Sequence, residues 1–288
     1  MCSHITGRND PVLIKPRSGW VPIDLKELWQ YRELALMLAW REILIRYKQS
    51  LLGAAWAIIQ PLATMLVFTV LFGLLLGRGN LPTIDGVPYS VSTYCALLPW
   101  QMFAQSVTRA SMSIVSNQSL ISKVYFPRLI IPLAPVLAAL ADFAIAFLLL
   151  IALMMWYHIV PGSAIVLLPV YVVLGLATAL GSALLLAAVN TVYRDIQQAV
   201  PFLVQVLMYL SPVLYSAQSV LRNQPEWVKV LYYSNPMTGV IEGFRWTVLG
   251  AQPPSPLILT CSALAVFVML IGSMFYFKRI ERRFADVV

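Results

Sequence analysis

Charge is what this chain has least of. Only 20 of its 288 residues are Lys or Arg and 12 are Asp or Glu, 11% together, against about 25% in soluble domains. Hydrophobic residues make up 60% and the mean hydropathy is +0.79, which excludes an ordinary soluble domain and points to an all-α integral membrane protein. Cysteine is nearly missing: Cys2, Cys95 and Cys261 are scattered and match no disulfide framework or metal spacing. His4 and His158 sit in a tail and a loop edge, so no metal site is expected. No G-x-x-x-x-G-K-[ST], G-x-S-x-G or paired-carboxylate motif occurs, so work against a gradient needs a separate source of energy. The first twenty residues lack an apolar h-region and include Pro11 and Pro16, so no signal peptide is expected. No internal repeat suggests an inverted-repeat carrier.

The few charges that exist are unevenly placed. Eight cations precede residue 50, and Lys278, Arg279, Arg282 and Arg283 lie in the last eleven residues. That end-weighting follows the positive-inside rule rather than nucleic-acid binding. Stretches of about 20 apolar residues predict six spans: Leu52–Leu76, a more polar Ser90–Val115, Leu129–Tyr157, Ala164–Val189, Ala199–Ala217 and Pro256–Phe277. An even number puts both termini on one side, and the basic ends make that side cytoplasmic. The expected organisation is a tail over 1–22, an amphipathic interface helix over 23–49, a six-helix domain over 50–278 and a short cytoplasmic tail over 279–288.

Four segments carry candidate function. Leu25, Trp29, Leu36, Trp40, Ile43 and Tyr47 fall on one helical stripe with Arg32, Arg41, Glu42, Arg46 and Lys48 off it, which suits a helix lying in the membrane plane. In the second span Gln101, Gln105 and Thr108 share a face beside Arg109; pore lining and interhelical hydrogen bonding both fit. Asp142 is the one carboxylate well inside an apolar span, and a contact with a polar group on a neighbouring helix fits it better than a proton relay. The inner loop from Ser116 to Arg128 predicts a short helix about 117–126, stopped by Pro127, with Leu120, Ile121, Val124 and Tyr125 as an apolar patch. It could plug into a cytoplasmic partner or dock on the membrane surface. Outside, Gln224-Pro225-Glu226-Trp227 starts one helix and Asn235-Pro236 a second that ends at Gly250. Both are expected on the outer surface, dipping aromatics (Trp227, Tyr232, Tyr233, Phe244, Trp246) into the interface, either as a belt or as a lid.

Certain strings match a known family in order: Trp40-Arg41-Glu42; Arg46 through Gly53 with Trp56 and Pro61; Leu98-Pro99-Trp100; Leu120 through Arg128 with Pro132; Asn190 through Asp195; Ser211-Pro212-Val213; and Asn235-Pro236-Met237. Across about residues 23–250 the chain resembles the permeases of ABC type 2 polysaccharide exporters, the O-antigen, capsule and teichoic acid group, with the O-antigen branch nearest at its opening Pro22–Trp29.

The resemblance implies a half-transporter and not an enzyme. A second copy would complete a channel, and two cytoplasmic ATPase subunits would carry ATP and Mg²⁺, with no cofactor in this chain. The cargo would be an undecaprenyl-diphosphate-linked glycan in a bacterial cytoplasmic membrane. By the same resemblance Leu120, Ile121, Lys123, Val124, Tyr125 and Arg128 couple to the ATPase, and Arg41, Arg46 and Lys48 contact pyrophosphate or anchor the helix. Trp56, Phe68, Phe72, Tyr94, Trp100 and Phe103, with Gln101 and Gln105, would line the channel, and Trp227, Tyr232, Tyr233 and Phe244 belong to outer gate helices over 219–249. Competing readings are a permease for teichoic acid, capsule or a small lipid or drug, and a membrane enzyme acting on lipid-linked sugars, for which no convergent carboxylates are visible.

Overall fold

The computed structural model describes residues 25–48, 53–76, 83–84, 86–221 and 223–281. Expectations for the 1–22 tail, residues 49–52, the close of the first span at 77–80, Arg222, Arg282 and Arg283 fall outside these residues. Among those described the chain is helical, apart from an antiparallel two-residue hairpin of β1 (Thr83–Ile84) and β2 (Val87–Pro88). The helices are α1 (Leu25–Gln30), α2 (Arg32–Tyr47), α3 (Trp56–Leu76), α4 (Tyr89–Ser116), α5 (Gln118–Lys123), α6 (Ile130–Trp156), α7 (Leu168–Val192), α8 (Ile196–Leu210), α9 (Ala217–Leu221), α10 (Glu226–Tyr233), α11 (Pro236–Leu249) and α12 (Pro256–Glu281).

Among the described residues four segments are long and apolar enough to cross a bilayer: Gly53–Leu74, Ile130–Trp156, Ser163–Val192 and Pro256–Glu281. The molecule is an all-helical polytopic membrane protein. The other two expected spans differ in kind. α8 has 15 residues, about 22 Å at 1.5 Å per residue. α4 has 28 and is too polar for lipid, because it is surrounded by protein: it packs against α3, α6, α7, α8 and α11. Two of its buried hydroxyls bond back into their own helix, Ser106 Oγ to the Met102 carbonyl at 2.6 Å and Ser113 Oγ to the Ala110 carbonyl at 2.7 Å.

The amphipathic α2 faces the opposite way from a simple headgroup helix. Trp29, Leu36 and Trp40 are exposed, whereas Ala35, Leu38 and Ala39 pack into a cluster with Ile130, Ile131 and Ala134 of α6. The Trp29–Trp40 part of the stripe is thus free for lipid, whereas Tyr47 at its end turns inward to Asp142. The small residues off it seat the helix on the protein, which turns Arg46 inward.

The outer helices start and stop where their caps dictate. Pro225 precedes α10, the Asn235 side chain accepts from Met237 N–H at 3.1 Å to open α11, and Gly250 closes it at φ +68°, the left-handed conformation glycine adopts without penalty. Their placement corrects the surface expectation. α11 is enclosed by α4, α7 and α12, Phe244 is fully buried, and its ring lies 5.7 Å from Phe143 and 6.2 Å from Phe147. Phe244 is therefore core and not an interface aromatic.

Small residues explain the depth. A Cβ on Gly239 would come within 2.6 Å of Ser262 Cβ, and one on Gly243 would overlap the Tyr171 ring. Gly243→Ala is expected to destabilise by about 1–3 kcal/mol through overpacking, read as a lower thermal unfolding midpoint. Combining it with Tyr171→Ala should be less than additive; full additivity would show that the ring is not the obstacle.

Candidate functional site

The chain turns at two ends. α4, α5 and α6 meet at one, where α2 and the last turn of α12 also arrive; Lys123, Arg128, Arg194, Lys278 and Arg279 gather there. At that basic end a cavity of about 440 Å³ opens between four elements. Arg46 and Tyr47 come from α2, Trp56 and Gln60 from the start of α3, Asp142 from α6. α4 supplies Gln101, Gln105, Thr108 and Arg109. The spacing of those α4 residues puts them on one face, and the helix has no lipid to turn that face toward.

A buried ion pair closes the inner wall. Arg46 pairs with Asp142, their side chains only 12% and 7% exposed, and the Tyr47 hydroxyl donates to the same carboxylate. Arg46 Nη1 also donates to Gln105 Oε1 at 3.1 Å, and Gln60 Nε2 reaches Gln101 Oε1 at 3.4 Å. Burial, with Arg109 nearby, lowers the Arg46 pKa to about 10, so the guanidinium stays charged at neutral pH. Burial likewise pushes the Tyr47 phenol up. Arg46 is consequently a structural cation, not a free headgroup contact. Asp142, the carboxylate expected to contact a polar group on a neighbouring helix, finds that partner in Arg46 of α2 and not in Arg109.

The ABC-2 type transporter model matches residues 33–249, from α2 to the end of α11. The chain belongs to that family. This ABC-2 transporter is 31% identical over 260 residues to the O-antigen export system permease protein RfbA of Myxococcus xanthus, covering 89% of the chain and 96% of the relative. It is 26% identical over 261 residues to the protein of the same name from Klebsiella pneumoniae, covering 89% and 95%. The polysialic acid transport protein KpsM of Escherichia coli is 26% identical over 249 residues, covering 84% and 91%. The chain is a transporter permease rather than an enzyme. Among the described residues no three His, Cys, Asp or Glu gather as a metal site.

In this ABC-2 permease the expected channel residues divide. Trp56, Gln101 and Gln105 line the cavity. Tyr94, Trp100 and Phe103 do not: they are buried inside the chain, with Tyr94 Oη donating to the Ala146 carbonyl at 3.1 Å and the Trp100 and Phe103 rings 5.3 Å apart. They face protein because α4 is central. Phe68 and Phe72 are half-buried and make edge or tilted contacts with Tyr209 (6.4 Å) and Tyr89 (5.4 Å).

The loop patch divides as well. Leu120 and Ile121 pack against the α2–α6 cluster, while Val124 is 52% and Tyr125 76% exposed beside the exposed Lys123. Arg128 Nη1 donates to the Glu281 carbonyl at 2.6 Å, capping α12, so it holds the protein together at that point. Arg41 Nη2 reaches Asn117 Oδ1 at 2.6 Å, tying α2 to the start of α5. Lys48 is exposed at the C-cap of α2.

At the opposite end Trp227 is exposed, Tyr233 is buried, and Tyr232 Oη lies 2.8 Å from Tyr215 Oη. The residues that organise this end are others. Arg245, 1% exposed, donates to the carbonyls of Pro212 and Val213 at 3.0 Å each and of Tyr215 at 3.2 Å. Glu242 Oε1, 3.4 Å from Arg245 Nη1, accepts from Ala217 N–H at 2.7 Å. A Glu and an Arg at i, i+3 amid Gly239 and Gly243 was the available sign of a buried polar clamp.

Proposed function

We propose that this chain is the membrane-spanning half of an ATP-driven exporter of a lipid-linked polysaccharide, with undecaprenyl-diphosphate-linked O-antigen as the cargo class. The membrane subunit of an ABC polysaccharide exporter is what its relatives are named for, and that likeness over nearly the whole chain carries the reading. The cavity supports it. It offers neutral amides, one indole wall and an excess of one cation at the basic end, a lining suited to a polar headgroup with sugars and poor for a purely apolar drug. O-antigen is favoured over teichoic acid, capsule or a small lipid by the greater identity to the Myxococcus relative.

Several finer features belong to this proposal. All six expected helices cross a bacterial cytoplasmic membrane, α4 and α8 being the two whose composition alone does not announce it. Both termini face the cytoplasm, since the basic end holds α2, α5 and the end of α12. A second copy completes the channel, and two cytoplasmic subunits bring ATP and Mg²⁺. α5 and the residues after it meet those subunits, and the exposed pair Val124 and Tyr125 is the plug.

Co-expression with the cognate ATPase tests this. Val124→Asp with Tyr125→Asp is expected to abolish co-purification and surface polymer while leaving the unfolding midpoint of the isolated permease unchanged, since both side chains are exposed. Leu120→Ala should instead lower that midpoint by loss of packing. A doubly substituted chain that still captures the ATPase and exports would remove α5 from the coupling surface.

A further inference from the structure

The cavity contains two guanidinium groups and one carboxylate, and only one of the cations is spoken for. Arg46 is matched by Asp142 and by Gln105. Arg109 is exposed into the same cavity and makes no hydrogen bond or ion pair among the described residues. It stands about two helical turns, roughly 10 Å, before the end of α4 at Ser116. A cation at that depth requires water or an anion. Apart from the nearby Arg46–Asp142 pair, the polar lining is neutral: Thr108 beside it, Gln105 one turn and Gln101 two turns before it on α4, and Gln60 on α3.

We propose that Arg109 is the residue that receives the phosphate oxygens of the transported lipid, with Gln60 and Gln101 contacting its first sugar and Arg46 acting only as the support that holds the wall in place. This rests on the export reading above and sharpens it, because it shifts the anion contact from the interface helix α2 to the central helix α4. The reasoning is electrostatic. A guanidinium already neutralised by a buried carboxylate gains little from a second anion, whereas an uncompensated one gains charge-assisted, bidentate contacts. Phosphate esters reach the cavity from two sources, a prenyl diphosphate carrier or bulk anionic phospholipid. The indole of Trp56 and the amides suit a headgroup that continues into sugar, so the carrier is the committed source.

The test uses the full chain in phosphatidylcholine nanodiscs, with binding of a polyprenyl diphosphate followed by native mass spectrometry. Phosphatidylglycerol and inorganic pyrophosphate serve as parallel arms. Wild type should bind the polyprenyl diphosphate at least tenfold more tightly than either. Arg109→Gln should bind it about ten- to a hundredfold more weakly, with Arg109→Lys in between. The unliganded Arg109→Gln protein should unfold at the wild-type midpoint, because no protein partner is lost; a lowered midpoint would give Arg109 a structural role and overturn the assignment. Equal binding by Arg109→Gln and wild type would also overturn it. Equal binding of phosphatidylglycerol would overturn the carrier as source. If cells exporting polymer through this chain tolerate Arg109→Gln, the assignment falls while the export reading stands; if deleting the chain leaves surface polymer intact, the export reading itself is what fails.

Discussion

Asp142→Ala is expected to cost about 3–5 kcal/mol of stability, because it leaves Arg46 charged and enclosed. The carboxylate takes two partners from α2, the Arg46 guanidinium and the Tyr47 hydroxyl, so its loss also frees the end of the interface helix from α6. Burial and the nearby Arg109 already lower the Arg46 pKa to about 10 with the carboxylate in place, and without it no anion offsets the enclosed guanidinium. The thermal unfolding midpoint in nanodiscs should fall sharply and export should be lost. Replacing both residues with apolar ones, Arg46→Met with Asp142→Leu, should recover most of the midpoint, since an apolar pair of similar volume replaces a desolvated ion pair at little or no net loss. A midpoint indifferent to Asp142→Ala would mean that the pair is hydrated and weak.

The second large effect is at the opposite end. Arg245→Leu should destabilise by a similar amount, about 3–5 kcal/mol, as three carbonyl oxygens of the turn after α8 lose their donor together and the nearby Glu242 loses its counter-charge. Glu242→Gln should be milder, because an amide oxygen can still accept from Ala217 N–H. Limited proteolysis would separate the two: Arg245→Leu should open the 211–225 segment to cleavage and Glu242→Gln should not. Protection equal to wild type in Arg245→Leu would show that the turn holds itself.

These two clusters mark the boundary of what could be read from residues alone. Helix limits were legible where the signal is local: Pro225 before α10, Asn235-Pro236 and Gly250 around α11; α5, expected over about 117–126 with Pro127 as its stop, is shorter and ends at Lys123, where Val124 turns extended. Caps and proline act within a turn of where they stand. Polar residues on α4 were also rightly assigned to one face. Partners were not legible, because Tyr47 and Asp142 are 95 residues apart and nothing in either neighbourhood encodes the other.

Aromatics were the least legible class. Phe244, Tyr94 and Trp56 look alike in composition, yet one is core, one is buried against a backbone carbonyl and one lines a cavity. Which way a ring faces depends on the neighbouring helix, and the burial of α11 through Gly239 and Gly243 is a property of close approach between elements. Arg128 shows the same limit: its motif gave no sign that its guanidinium is committed to the end of α12.

Arg41 holds Asn117 at the head of α5, and Arg128, just past its tail, holds the last carbonyl of α12. Helices from the beginning, middle and end of the chain are therefore riveted at a single junction. The segment that carries α5 is thus tethered on both sides, to α2 before it and to α12 after it.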